Sequence, residues 1–272
     1  MKLKTLAALT LTAALTLSMT ACGAKGDGAA DDWKYVEGKG KLTIGYTVYE
    51  PMNYTDESGK LVGFETEFAE AVCKKLGVTP DFKEINWDTK VTELDAKGID
   101  CIWNGMTITE ELVKNIDVSN AYIKNMQVVI IRTADAEKYT DTASLSAAKL
   151  EAEAASAGEG AVKADPDLSK APYLSVPKQT DALLEVKAGG ADAAVLDYVL
   201  ANATVGEGTD YADLMMIPGL ELCVEEYGIG FRKGSNMVAK VNTAIDELIA
   251  DGTLAALAEK YGLTEQLLAN QK

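Results

Sequence analysis

Strand-type and helix-type periodicities alternate along this chain from Leu42 to Gly262, and that alternation limits the fold more than any other feature. Leu42, Ile44, Tyr46 and Val48 recur at every second position, the spacing of a strand with one buried face. Phe64, Phe68, Val72 and Leu76 then recur at every fourth position and stop at Gly77, which reads as an amphipathic helix closed by a glycine. The same reasoning predicts a short helix over 91–97, a strand over 99–103, a helix capped by Thr109 and running to Asn115, and a buried strand over 127–131. Further on it predicts strands at 150–154, 173–176, 193–196, 214–217 and 227–232, with helices at 180–189, 236–250 and 254–261. Alternation of this kind implies α/β layers built on largely parallel sheets.

The N-terminus sets the compartment. Lys2 and Lys4 precede an apolar run over 6–17, which breaks at Ser18 and reaches Met19-Thr20-Ala21-Cys22-Gly23. A run this short, followed by small residues, reads as an export signal over 1–21 rather than a membrane span. Cys22 then stands where a bacterial lipobox places its lipidated cysteine, although Met19 replaces the usual leucine. Two or more acyl chains on that residue would hold the protein stably on the extracytoplasmic face of the cell membrane. Cleavage before Cys22 leaves 251 of the 272 residues, a comfortable length for two lobes of roughly 100 residues each. The small, acidic stretch after it reads as a flexible tether over 22–37.

Composition removes several classes of function. The net charge is −16, and loss of the signal with its two lysines makes it −18. The only arginines, Arg132 and Arg232, lie in no basic cluster, so nucleic acid is excluded as a partner. The chain has no histidine, which removes Ser-His-Asp and Cys-His catalysis and most zinc sites. No metal, cofactor or catalytic residue is expected. Cys73, Cys101 and Cys223 have no metal-binding spacing, and buried free thiols are the default reading for Cys73 and Cys101.

Several stretches carry a more specific signal. In order they are Ile44-Gly45 with Tyr49-Glu50-Pro51-Met52, Gly59-Lys60-Leu61-Val62-Gly63-Phe64-Glu65-Thr66-Glu67, and Trp87 ahead of Gly98-Ile99-Asp100. Gly105-Met106-Thr107-Ile108-Thr109, Asp117-Val118-Ser119 with Tyr122, Gly228-Ile229-Gly230 and Asp251-Gly252-Thr253-Leu254 follow. In this order and spacing, across roughly 38 to 265, they resemble the bacterial extracellular solute-binding proteins of polar-amino-acid ABC importers, family 3. The resemblance implies a two-lobed, periplasmic-binding-protein-like (type II) α/β fold with the ligand cleft between the lobes. It implies lobe 1 from 38–131 plus 222–272 and lobe 2 from 132–221. It also implies capture of a small polar ligand, an amino acid first among them, by a monomer whose lobes close and which delivers to the permease subunits of an ABC importer.

Site residues follow from the same resemblance. Tyr49 and Trp87 stand where aromatic rings sandwich the ligand; from sequence alone each equally suits the core. Asn104, Gly105 and Thr107 fall in the segment whose backbone and hydroxyl meet the ammonium and carboxylate. Ser156 stands in the second lobe's carboxylate loop, although a plain helix cap explains it too. Asp197, at the end of a strand, stands where an acid pairs with the ligand's ammonium, its alternative being the cap of the next helix. Leu112 occupies the position of a carboxylate-clamping arginine, which leaves that end of the ligand unassigned, with Lys114 and Lys124 as candidates and an amine lacking an α-carboxylate as an alternative ligand. Trp103 fits the cleft and the core equally, and the reach of Glu50 is open. Two other functions share the fold: sensing for a receptor, which anchoring suits equally, and a dehydratase of cyclohexadienyl acids, which needs two anion clamps that so few arginines do not supply.

Overall fold

The computed structural model describes residues 31–271. The expected export signal and the expected lipidation site, Cys22, lie outside the described residues. The chain does not enter its first strand directly: Asp31 accepts from Lys34 N–H and starts helix α1, Asp32–Lys39. The expected tether to 37 is therefore too long at its far end, because Val36 is fully buried and Asp32 pairs with Arg232.

Strand β1 (Lys41–Tyr46), the hairpin β2 (Tyr54–Thr55) with β3 (Leu61–Val62), and helix α2 (Phe64–Leu76) follow. Gly77 ends α2 in the left-handed conformation, and Phe64, Phe68, Val72 and Cys73 form its buried face. Then come β4 (Thr79–Glu84), α3 (Lys90–Asp95), β5 (Cys101–Ile102), α4 (Leu112–Asn115) and β6 (Ile116–Val118). With the late strand β12 they make a sheet in the order β4-β1-β5-β12-β6, where β12 (Gly230–Arg232) runs antiparallel to both its neighbours. Trp103 belongs to the core of this sheet: it is fully buried and meets Phe68 edge-on at 5.0 Å.

The second sheet has the order β11-β7-β10-β8-β9. Its strands are β7 (Ile123–Arg132), β8 (Leu150–Glu153), β9 (Tyr173–Val176), β10 (Ala193–Asp197) and β11 (Leu214–Tyr227), with α5 (Ala157–Ala164), α6 (Gln179–Ala188) and α7 (Tyr198–Thr204) between them. β11 runs on to Tyr227 where a strand of only 214–217 was expected, the second expected strand (227–232) being largely β12, and it pairs antiparallel with β7 through two register shifts. All of β7 thus lies in the second sheet, with Gln127 opposite Asp197, so the expected lobe limits at 131 and 222 move outward to about 122 and 228. The apolar run of β7 reads the same whichever sheet receives it. Helices α8 (Met237–Ala250) and α9 (Thr253–Lys260) return to pack on α2. The three cysteines among the described residues are free, with Cys73 and Cys101 buried.

Candidate functional site

Asp197 ends β10 at the sheet edge that faces the other lobe, and it is 5% exposed. Its side chain does not cap α7. Asn125 does, its Oδ1 accepting from Val199 N–H at 3.2 Å. Asp197 Oδ1 accepts instead from Asn125 Nδ2 at 2.7 Å and Gln127 Nε2 at 2.5 Å, and Oδ2 accepts from Gln179 Nε2. The same two amides of β7 also donate to Glu225 Oε1 on β11, at 2.6 and 2.8 Å. Two carboxyl groups from neighbouring strands therefore share one pair of donors. Burial raises both, with Glu225 reaching about 8, and the amide hydrogen bonds oppose the rise in each. Asn125 and Gln127 project inward because they alternate with exposed Lys124 and half-buried Met126 along β7.

The first lobe supplies Tyr49, whose hydroxyl meets the Tyr227 hydroxyl at 2.7 Å. Burial first and the nearby Asp197 second suppress ionisation of both phenols. Tyr49 packs on Gly105, which has φ +54°, and a Cβ there would lie 2.4 Å from Tyr49 Cε1, so only glycine fits. Gly105 N–H donates to both oxygens of Glu65 at 3.0 and 2.9 Å, and Glu65 also accepts from the Tyr122 hydroxyl. Burial nonetheless lifts Glu65 to about 7. Thr107 forms a bridge to Tyr227. Asn104 is consumed in bracing the loop: its Nδ2 donates to Thr47 O at 2.8 Å and its Oδ1 accepts from Thr47 Oγ1 at 2.7 Å.

A second group lies where α3 meets the start of α5. Trp87 is buried among Ile85, Leu94 and Ile102, and the Lys90 ammonium sits 4.6 Å from its ring centroid. Lys90 Nζ donates to Trp87 O at 3.1 Å and, across the lobes, to Ala155 O at 2.9 Å. Ser156 caps α5, accepting from Glu159 N–H at 3.1 Å. Glu153 ends β8 with 3% exposure, and its Oε1 has no hydrogen-bond partner. Burial, aided by Asp197, lifts Glu153 to about 8, and Lys90 opposes that rise. A further tie between lobes runs from Lys178 Nζ to Glu84 Oε1 at 2.5 Å.

The expected residues thus separate into two groups. Tyr49, Gly105, Thr107 and Asp197 gather around Tyr227, whereas Trp87 and Ser156 gather around Lys90; Asn104 lies behind the first group. Glu50, Lys114 and Lys124 are exposed, and Leu112 packs with the Trp87 cluster. Both arginines are taken: Arg132 by Asp135 and Asp192, Arg232 by Asp32 and Asp100. Sequence reasoning missed Lys90, Glu153, Glu225, Asn125 and Gln127. The readable signal was the pair Asn125 and Gln127, two apart just ahead of the apolar run 128–131. A cavity of about 230 Å³ between α7 and 261–266 is lined by Tyr198, Asn202, Tyr261 and Gln266 and holds none of these groups.

The sequence pattern of the family described as bacterial extracellular solute-binding proteins, family 3, matches residues 42–264. The L-cystine-binding protein TcyJ of Escherichia coli (strain K12) is 31% identical over 83% of this chain and 84% of its own length. The arginine-binding extracellular protein ArtP of Bacillus subtilis (strain 168) is 27% identical over 93% of this chain and 96% of its own length. Among solved structures, an ancestral arginine-binding protein bound to arginine superposes with a TM-score of 0.76 at 32% identity, covering 82% of this chain and 98% of that one.

Proposed function

Because the chain belongs to the bacterial extracellular solute-binding proteins, family 3, we propose that it captures an amino acid between its two lobes and presents it to an ABC importer. The observation that carries this reading is Asp197: a buried carboxylate at a strand end, fixed by three amide donors and used for no helix cap. Such a group is costly unless a cation meets it, and an α-ammonium does so. Similar proteins include arginine binders, so a ligand with a side-chain positive charge as well as its α-ammonium is among the candidates. Ligand contacts made from both lobes favour the closed state, so binding energy sets the population that the transporter meets. The similar proteins are binding proteins rather than enzymes, and both arginines here serve as structural ties instead of anion clamps.

A thermal-shift screen over amino acids, polyamines and quaternary amines tests the reading. At 100 times its Kd a ligand adds about 2.7 kcal/mol, which for a chain of this size raises Tm by roughly 5–10 °C. A panel in which no amino acid moves Tm sinks it. The reading extends to anchoring: Cys22 carries the lipid and the residues after it tether the lobes to the membrane. Cys22→Ser is expected to move the protein from the membrane to the soluble fraction on cell fractionation. Retention of the variant with the membrane would refute the anchor.

A further inference from the structure

An amino acid brings a carboxylate as well as an ammonium, and the acids gathered around Asp197 cannot receive it. Among the described residues only two cations are buried, Arg232 and Lys90. Arg232 donates to Asp32, Leu94 O and Ile99 O, with Asp100 at 3.6 Å, so its charge is spent inside the first lobe. Lys90 differs. Its ammonium touches two neutral carbonyl oxygens, one from each lobe, and among the described residues no carboxylate lies within ion-pair distance of it. An ammonium has three donors, and two are used.

Its surroundings are built for an anion on one side and a cation on the other. Ala155 O, which Lys90 meets, directly precedes the first turn of α5, where the N–H groups of Ala157 and Gly158 have no partner within the helix. A Cβ at Gly158 would lie 2.8 Å from Val195 O and 2.9 Å from Gln127 Oε1, so glycine lets this helix start sit against β10 and the Asp197 centre. Glu153 stands between the two groups, in the field of both Lys90 and Asp197, with one buried oxygen unpartnered. Burial leaves the ammonium undercompensated, lowered to about 8.

We propose that Lys90 supplies the positive charge that holds the carboxylate of the captured amino acid, whose ammonium end faces Asp197. This rests on the amino-acid reading above. It makes Lys90 a binding residue, where a purely structural role would make it a latch between Trp87 O and Ala155 O.

The two roles part on matched probes. Calorimetry of the wild type and Lys90→Gln would compare L-arginine with agmatine, L-lysine with cadaverine, and L-cystine with cystamine, each amine being the decarboxylated form of its amino acid (cystamine lacks both carboxylates of cystine). Lys90→Gln is expected to weaken the amino acid at least tenfold and the amine less than twofold, with Lys90→Arg keeping most of the amino-acid affinity. Equal losses for acid and amine, or no loss for either, would overturn the assignment. Should Lys90→Gln fail to fold, Lys90→Met, which keeps the aliphatic stem over Trp87, serves in the same comparison. A wild type that binds none of the three amino acids and nothing in the wider screen defeats the amino-acid reading itself, and this assignment with it, before any variant is made.

Discussion

Asp197→Asn is expected to weaken capture of an amine-bearing amino acid by roughly 10- to 150-fold, because a buried hydrogen bond to a charged group contributes about 1.5–3 kcal/mol. The substitution keeps the shape and removes the charge. It also sets a side-chain NH₂ against either the amides of Asn125 and Gln127 or that of Gln179, all of which donate to the acid. The scaffold should survive, since a buried carboxylate raised by its surroundings was itself unfavourable. Calorimetry with whichever amino acid gives the largest thermal shift provides the number. Unchanged affinity would mean that Asp197 only braces the β7–β10–β11 junction.

The largest loss of stability is expected from Arg232→Met. Arg232 is 7% exposed and lies between Asp32, at 3.0 Å, and Asp100, at 3.6 Å, while donating to two backbone carbonyls from Leu94 and Ile99. Methionine matches much of its stem and none of its charge. Lys39 still meets Asp100 at 2.5 Å, so the carboxylate stranded is chiefly Asp32. Removing one partner of a buried pair costs about 3–5 kcal/mol, equivalent to a fall in Tm of roughly 6–20 °C for a chain of this size. Thermal denaturation followed by circular dichroism checks it, and a fall of a degree or two would show that water or Lys39 already serves Asp32.

Much of the fold was legible because its punctuation is local. Gly77 and Gly189 end α2 and α6 in the left-handed conformation, and each sits where the apolar repeat stops. Strand partners are not local, which is why β7 read as the end of one lobe although its neighbour β10 lies in the other. The site divides along the same line. Tyr49, Gly105, Thr107 and Asp197 were readable as motif positions. Lys90 and Glu225 were not, because nothing near them in sequence distinguishes a surface charge from a buried one. Glu151 and Glu153 alternate with apolar residues like an exposed polar face, yet both are buried, β8 lying between β10 and β9 with helices over the sheet. Leu112 gave the clearest warning from sequence that the usual arginine is missing, and the buried Lys90 starts α3, whereas Lys114 lies on α4 and Lys124 on β7.

The ion pair of Asp32 with Arg232 joins residues 200 positions apart, and Trp33 N–H donates to Asn236 Oδ1 at 2.9 Å across a similar span. The first sheet likewise needs β12 between β5 and β6, whereas every strand of the second lies within 123–227. Contacts so remote in sequence form late. A growing chain can therefore assemble its second sheet while the first still lacks β12, the strand that joins β6 to the rest. For a protein of an extracellular family, this order of assembly keeps the first lobe unfinished until almost the whole polypeptide has been made, and α1 closes onto β12 only at the end.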